Sequence, residues 1–333
     1  MKKHARTLLS SAWLRSFMAL AISFAAQGAK AQPSAKTSPP HSQEKQNAFV
    51  LKTETVSLMV NVTDAKGRFF SGLEKEAFSV FEDGIEQEIS FFTVADSPAS
   101  IGIVFDVSSS MRGKRIENAR EALARFVQST HSNDEYTLVA FNDTAQLLLD
   151  RINNGARVLE RAKSILPRGQ TALYDAVALA LGQVEQGCYT KRALIVISDG
   201  EDNRSRISAG KLRRMIQESG VLVYAVAFSA PLSRNRGAMA LEELASSSGG
   251  SVYKPDNAEQ MSEAFERIAL ELRQLYSVGY APANFTADGK WRKLKVKITP
   301  PSGVPKLKVR SRGGYYAVAD GVRRERARTA ALD

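Results

Sequence analysis

The sequence predicts an α/β fold: a doubly wound, mostly parallel six-stranded sheet, Rossmann-like in its layering, flanked by a smaller antiparallel β domain built from the N- and C-terminal segments. Three observations predict it. Between Ser100 and Leu275, continuously apolar runs such as "IGIVF", "ALIVIS" and "VLVYAVA" alternate with amphipathic stretches, and strands apolar on both faces belong to parallel sheets covered by helices on both sides. On either side of that region the pattern changes to a period of two. The runs 136–141 and 145–150 are joined only by "NDT", too short for a crossover, so one edge strand must be antiparallel.

Taken in order, "MKKHAR", the apolar "SFMALAISFAA" and the small residues "AKA" read as a cleavable export signal over 1–31, with cleavage near Ala31. The apolar core is short for a membrane span, and no cysteine follows it to carry a lipid anchor. Residues 32–48 are polar and proline-bearing, a flexible linker. In the segment 49–97, Val56, Leu58, Val60 and Val62 alternate with polar partners and "DAKGR" is a turn. "FSVFEDGIEQEISFF" reads as two strands joined at Asp83-Gly84.

The α/β unit covers 98–275. Its strands are expected at 101–106, 136–141, 145–150, 192–198, 221–227 and, weakly, 251–254. Apolar stripes place helices at 114–129, 171–186 and 257–275. In the segment 276–318, "WRKLKVKIT" sets Leu294, Val296 and Ile298 against Lys293, Lys295 and Lys297, and "KLKVR" repeats the scheme. The two β segments are expected to pair, with the α/β unit inserted between them, because the termini of such units often lie close together. The tail 319–333 is uninformative.

Composition narrows the chemistry. The formal charge of +11 is local: residues 286–312 hold nine Lys/Arg against Asp288 alone. Within it, 290–312 reads as a basic hairpin whose lysines form the solvated face of a sheet. Export argues against nucleic acid as a partner, while weak association with anionic envelope material stays open. Cys188 is the single cysteine and is expected to be a small buried group. His131 is the one histidine beyond the signal and linker. Ser–His and Cys–His catalysis and His- or Cys-based zinc sites are thereby excluded.

Asp106, Ser108 and Ser110 end the first strand of the α/β unit in "FDVSSSM". Thr171 opens a helix in "GQTALYD", and Asp199 ends the fourth strand in "ISDGED". Ligands of open α/β sheets gather at the carboxyl ends of strands where the winding reverses, and these three loops converge there. Each piece has an ordinary use as a cap or turn; their joint occurrence points to a site. The donors are all oxygen, which suits Mg²⁺, with Mn²⁺ or Ca²⁺ as alternatives. Two carboxylates and neutral hydroxyls leave such an ion underneutralised, with a position free for a carboxylate from another molecule. Asp143, Asp175, Glu201 and Asp202 lie in the same loops and read as structural or solvated acids.

The "DVSSS", Thr171 and Asp199 positions resemble the metal-ion-dependent adhesion site (MIDAS) of von Willebrand factor A domains over about 98–275. The flanks, in "VNVTDAKGRFFSGLEKEAFSVFEDGIEQEISFF", "LYSVGYAP", "GKWRKLKVKI" and "RGGYYA", resemble the secreted bacterial family related to them. The resemblance implies direct metal contact from Ser108 and Ser110. It implies contact from Thr171 that is direct or water-mediated according to conformational state, and contacts through water from Asp106 and Asp199. Ser109 fills a slot often held by glycine. It also implies a non-enzymatic, secreted or periplasmic protein that binds a partner presenting Asp or Glu, with no membrane span after signal cleavage. Two other readings are an intramolecular scaffold and a metal-dependent phosphohydrolase of the haloacid-dehalogenase type. The latter wants a general-acid Asp two residues after the first, where this chain has Ser108.

Overall fold

The structure, a computed structural model, describes residues 55–93, 96–228, 236–283, 285–300, 302–304 and 306–319; the expected signal (1–31), linker (32–48) and all but the first residue of the tail lie outside the described residues. Along β1 (Val56–Thr63), Val56, Leu58, Val60 and Val62 alternate toward one core, none more than 6% exposed. The Asp64 carboxylate then accepts the backbone N–H groups of Lys66 and Arg68 at 2.8 and 3.0 Å, closing the turn.

Strands β2 (Phe78–Glu82) and β3 (Ile85–Gln87) form a hairpin through Asp83 (φ 48°) and Gly84 (φ 90°), the double positive φ of a tight two-residue turn. The sequence reading of a single second strand is corrected here. The chain breaks at Glu88, and β4 (Ile89–Thr93) pairs in another sheet. Uninterrupted alternation would put Ile85 and Ile89 on one face; the break leaves Ile85 at 66% exposure and buries Ile89 at 6%.

The α/β unit follows with β5 (Ala99–Asp106), α1 (Lys114–Ser129), β6 (Glu135–Phe141), β7 (Ala145–Ile152), α2 (Gly155–Lys163), α3 (Leu173–Val184), β8 (Lys191–Ser198), α4 (Ala209–Ser219), β9 (Leu222–Ala227), α5 (Arg236–Ser248), β10 (Val252–Tyr253) and α6 (Ala258–Gln274). The sheet order is β10-β9-β8-β5-β6-β7. All neighbours are parallel except β6 and β7. Every residue of β5 is buried, as its central place requires. One layer packs α1, α2 and α6 on Ile101, Ile103 and Phe105. The other packs α3, α4 and α5 on Val104, Leu194 and Val196.

Helices α2, α4 and α5 are additions to the sequence reading. Only Val158 and Ala162 of α2 are buried, a stripe too thin to stand out. Helix α4 is capped by Ser208, which accepts from Lys211 N–H at 3.3 Å, and ends at Gly220 in the left-handed region. Its stripe of Leu212, Met215 and Ile216 is diluted by flanking charges.

The chain then forms β11 (Tyr276–Tyr280), β12 (Trp291–Ile298), β13 (Lys308–Arg310) and β14 (Gly314–Tyr316). Two four-stranded sheets result, β13-β1-β11-β4 and β14-β12-β2-β3, each combining strands from both flanks. They share a core that includes Leu58, Val60, Val80, Tyr276, Val278 and Leu294. The basic segment is not a hairpin: β13 pairs with β1 while β12 lies between β14 and β2. Lys293, Lys295 and Lys297 are exposed beside buried Leu294 and Val296. Cys188 is exposed rather than buried, its backbone N–H donating to Glu135 at 2.7 Å. Among the described residues, no helix is long and apolar enough to cross a membrane.

Lys191 opens β8 at 1% exposure and donates from Nζ to the Leu272 carbonyl at 3.0 Å, holding the last turn of α6. Burial pushes its ammonium down to about 8. The unfolded chain therefore holds this proton up to its ordinary range while the folded one releases it near pH 8, so stability gains from Lys191 as pH rises from about 8 toward 10. Urea unfolding of the wild type and of Lys191→Met at pH 7.5 and 9.5 checks this. The wild type should gain about 1–2 kcal/mol relative to the variant across that interval.

Candidate metal centre

Strand β5 ends on Asp106, which is fully buried with both carboxylate oxygens in use. One accepts the Ser108 N–H at 2.8 Å and the other the Ser198 hydroxyl at 2.6 Å. Ser198 closes β8, the parallel neighbour of β5, so this hydrogen bond lies at the point where the winding of the sheet reverses. Burial pushes the Asp106 carboxyl up to about 6 against the opposing pull of these hydrogen bonds, and the charge of Asp199 adds to the rise.

After Asp106 the backbone turns sharply, with Ser109–Met111 forming one turn of 3₁₀ helix. Ser108 and Ser110 face each other with their hydroxyl oxygens 3.0 Å apart; Ser108 is buried and Ser110 exposed. Cis ligands of an octahedral ion with bonds of about 2.1 Å sit about 3.0 Å apart, so this hydroxyl pair matches one edge of a Mg²⁺ shell. Calcium, with bonds of about 2.3–2.6 Å, wants a wider edge.

The loop before α3 is hydrogen-bonded onto this turn, and the loop after β8 is hydrogen-bonded to that loop. Ser109 N–H donates to the Gly169 carbonyl at 3.0 Å and Arg168 N–H to Val107 at 2.8 Å. Gly169 has φ +77°, a left-handed conformation that L side chains rarely adopt, and a Cβ there would lie 2.1 Å from the Asp143 carboxylate. Thr171, 5% exposed, precedes α3 rather than opening it, and its backbone is clamped from both sides by Asn203. Thr171 N–H donates to Asn203 Oδ1 at 3.1 Å, and Asn203 N–H to the Thr171 carbonyl at 3.0 Å. Asp199 is half-buried and accepts the Glu201 N–H at 3.2 Å. The structure thus puts Asp106, Ser108, Ser110, Thr171 and Asp199 on three loops, bonded one to the next, at one end of the sheet. Among the described residues, the Thr171 hydroxyl and Asp199 carboxylate make no hydrogen bond to the Ser108–Ser110 pair; their loops carry them to this corner.

Three of the nearby acids staple these loops. Asp143 accepts Gln170 N–H, Asp175 accepts Arg206 and Ile207 N–H, and Asp202 accepts Tyr174 N–H and the Ser205 hydroxyl. Ser198 and Asn203 escaped the sequence reading. Their roles depend on which strand and loop lie opposite, although the asparagine four residues after Asp199 was visible as a turn former.

Residues 101–201 match the von Willebrand factor type A domain family. The chain carries a von Willebrand factor type A domain. The match begins in β5 and ends just past Asp199, so it spans all three loops of the A-domain centre. Over 207 residues, 56% of this chain, the sequence is 26% identical to inter-alpha-trypsin inhibitor heavy chain H4 of Sus scrofa. The match covers 22% of that relative's length. Among solved structures, the von Willebrand factor type A protein from Catenulispora acidiphila is similar at 12% identity and TM-score 0.48, over 83% of this chain and 77% of that one. BatB from Bacteroides thetaiotaomicron is similar at 20% identity and TM-score 0.45, over 52% and 98%.

Removing the Ser198 hydroxyl leaves a buried carboxylate oxygen without its donor. Ser198→Ala should therefore destabilise the protein by about 1–3 kcal/mol, read as a lowered urea midpoint with an unchanged slope.

Proposed function

We propose that this chain is an exported, non-enzymatic binding protein whose A domain holds a divalent cation, Mg²⁺ by preference, on Asp106, Ser108, Ser110, Thr171 and Asp199. A carboxylate of a partner protein completes the ion's shell. The observation that carries this reading is the 3.0 Å spacing of the Ser108 and Ser110 hydroxyls beside a buried, fully hydrogen-bonded carboxylate. Ser110 is exposed and Asp199 half-exposed, so the set has a solvent side from which a partner could approach. When bound, the ion would supply a Lewis-acidic position facing outward. The protein's part is to hold the hydroxyls at this spacing and to limit the negative charge around them to two carboxylates.

The same geometry weighs against phosphohydrolase chemistry. A nucleophilic Asp needs an oxygen open to substrate, whereas both Asp106 oxygens are engaged and the residue is fully buried. Ser108, two residues on, has no proton to give a leaving group at an acid's pKa. The amino-terminal signal reading supports action outside the cytoplasm.

Calorimetric titration of the purified protein with MgCl₂ and CaCl₂ tests the metal reading. One ion should bind per chain, with Mg²⁺ favoured over Ca²⁺ by roughly tenfold on the grounds of edge length. Ser110→Ala, an exposed change that spares the core, should weaken Mg²⁺ binding at least about tenfold. Mg²⁺ uptake unchanged in Ser110→Ala would overturn the assignment.

A further inference from the structure

Beside the candidate metal centre, on the α1/α2 side of the sheet, lies a groove of about 360 Å³. Its inner wall includes Val107, the residue between Asp106 and Ser108, so groove and centre share one stretch of backbone. Leu148 and Ile165 form its apolar floor, packed on the core, and Leu166 stands at its lip at 76% exposure. Val107, Leu148, Ile165 and Leu166 together give the groove an aliphatic lining.

Charge says what that something carries. No acidic residue lines the groove, while Arg161 and Arg168 do, both exposed. Arg112 reaches the same edge, its Nε donating to the Pro167 carbonyl at 3.3 Å. Three arginines therefore border an apolar slot that shares the Val107 backbone with a centre suited to a carboxylate-seeking cation.

From this juxtaposition, and resting on the metal reading above, we infer that the groove takes an aliphatic side chain from an acidic segment of the partner protein. One carboxylate of that segment goes to the ion, and its neighbours face Arg112, Arg161 and Arg168. The metal position alone selects a carboxylate of any kind; the groove adds selection for what stands next to it.

The test uses three fluorescein-labelled pentapeptides, Gly-Glu-Leu-Glu-Gly, Gly-Glu-Ser-Glu-Gly and Gly-Gln-Leu-Gln-Gly. Fluorescence anisotropy with the full chain is read in excess Mg²⁺ and again in EDTA. The Glu-Leu-Glu peptide should bind at least about tenfold more tightly than the Glu-Ser-Glu peptide, the difference one buried leucine makes. The Gln-Leu-Gln peptide should fail to bind. Leu166→Asp, at an exposed position that leaves the core intact, should remove the leucine preference, and Arg168→Glu should weaken the acidic peptides several-fold; calorimetric Mg²⁺ uptake should stay as in the wild type in Leu166→Asp. Mg²⁺-dependent binding that ignores both the leucine and Leu166→Asp would overturn the groove while leaving the metal reading standing. Leucine-selective binding that survives EDTA would overturn the metal reading and keep the groove. Binding of none of the three peptides would overturn the inference.

Discussion

The hydrogen bond from Ser198 to Asp106 is the contact on which this site depends. It joins the last residues of β5 and β8, the two strands at the reversal of the sheet, inside the core. A carboxylate in that place is costly unless its oxygens are satisfied. Ser198 and the Ser108 N–H satisfy one oxygen each, and the second of these bonds also dictates how the chain leaves the strand. The turn that follows brings the hydroxyls of Ser108 and Ser110 together, and the Gly169 carbonyl receives Ser109. Burial, turn geometry and donor spacing are therefore consequences of a single buried acid.

Much of this was legible in the chain before any coordinates. Strand–helix alternation marked the α/β unit because strands apolar on both faces have few other destinations, and the "NDT" connection marked the antiparallel edge because no crossover fits in it. The stripe of α1 reads over the same residues, 114–129, that form the helix. The candidate metal residues were visible because each lies at a strand end or in the loop just after a strand or just before a helix, positions where oxygen-bearing side chains meet at a common crevice.

What stayed hidden was decided by neighbours distant in sequence. The break at Glu88 follows from β4 pairing with β11, a strand nearly two hundred residues later. The separation of β12 from β13 follows from β1 and β2 taking them into different sheets. Helix α2 buries only two residues and rests on its Asn154 cap, too little for a periodic signal. Ser198 and Asn203 are unremarkable as sequence and acquire their roles from the loops across from them. In each case local pattern was silent because the decisive partner is tertiary.

The two β sheets are built from strands on both sides of the A domain, with Val56 of β1 facing Tyr280 of β11. The partners are about 220 residues apart along the chain, and a flexible connection of that length would make their encounter slow. Here the connection is itself a folded body whose entry at β5 and exit at the end of α6 meet the same pair of sheets. Once the central domain has formed, it acts as the short turn of a very large hairpin. The folded domain thus brings β1 and β11 together, so their pairing closes a connection far shorter in effect than their separation along the chain.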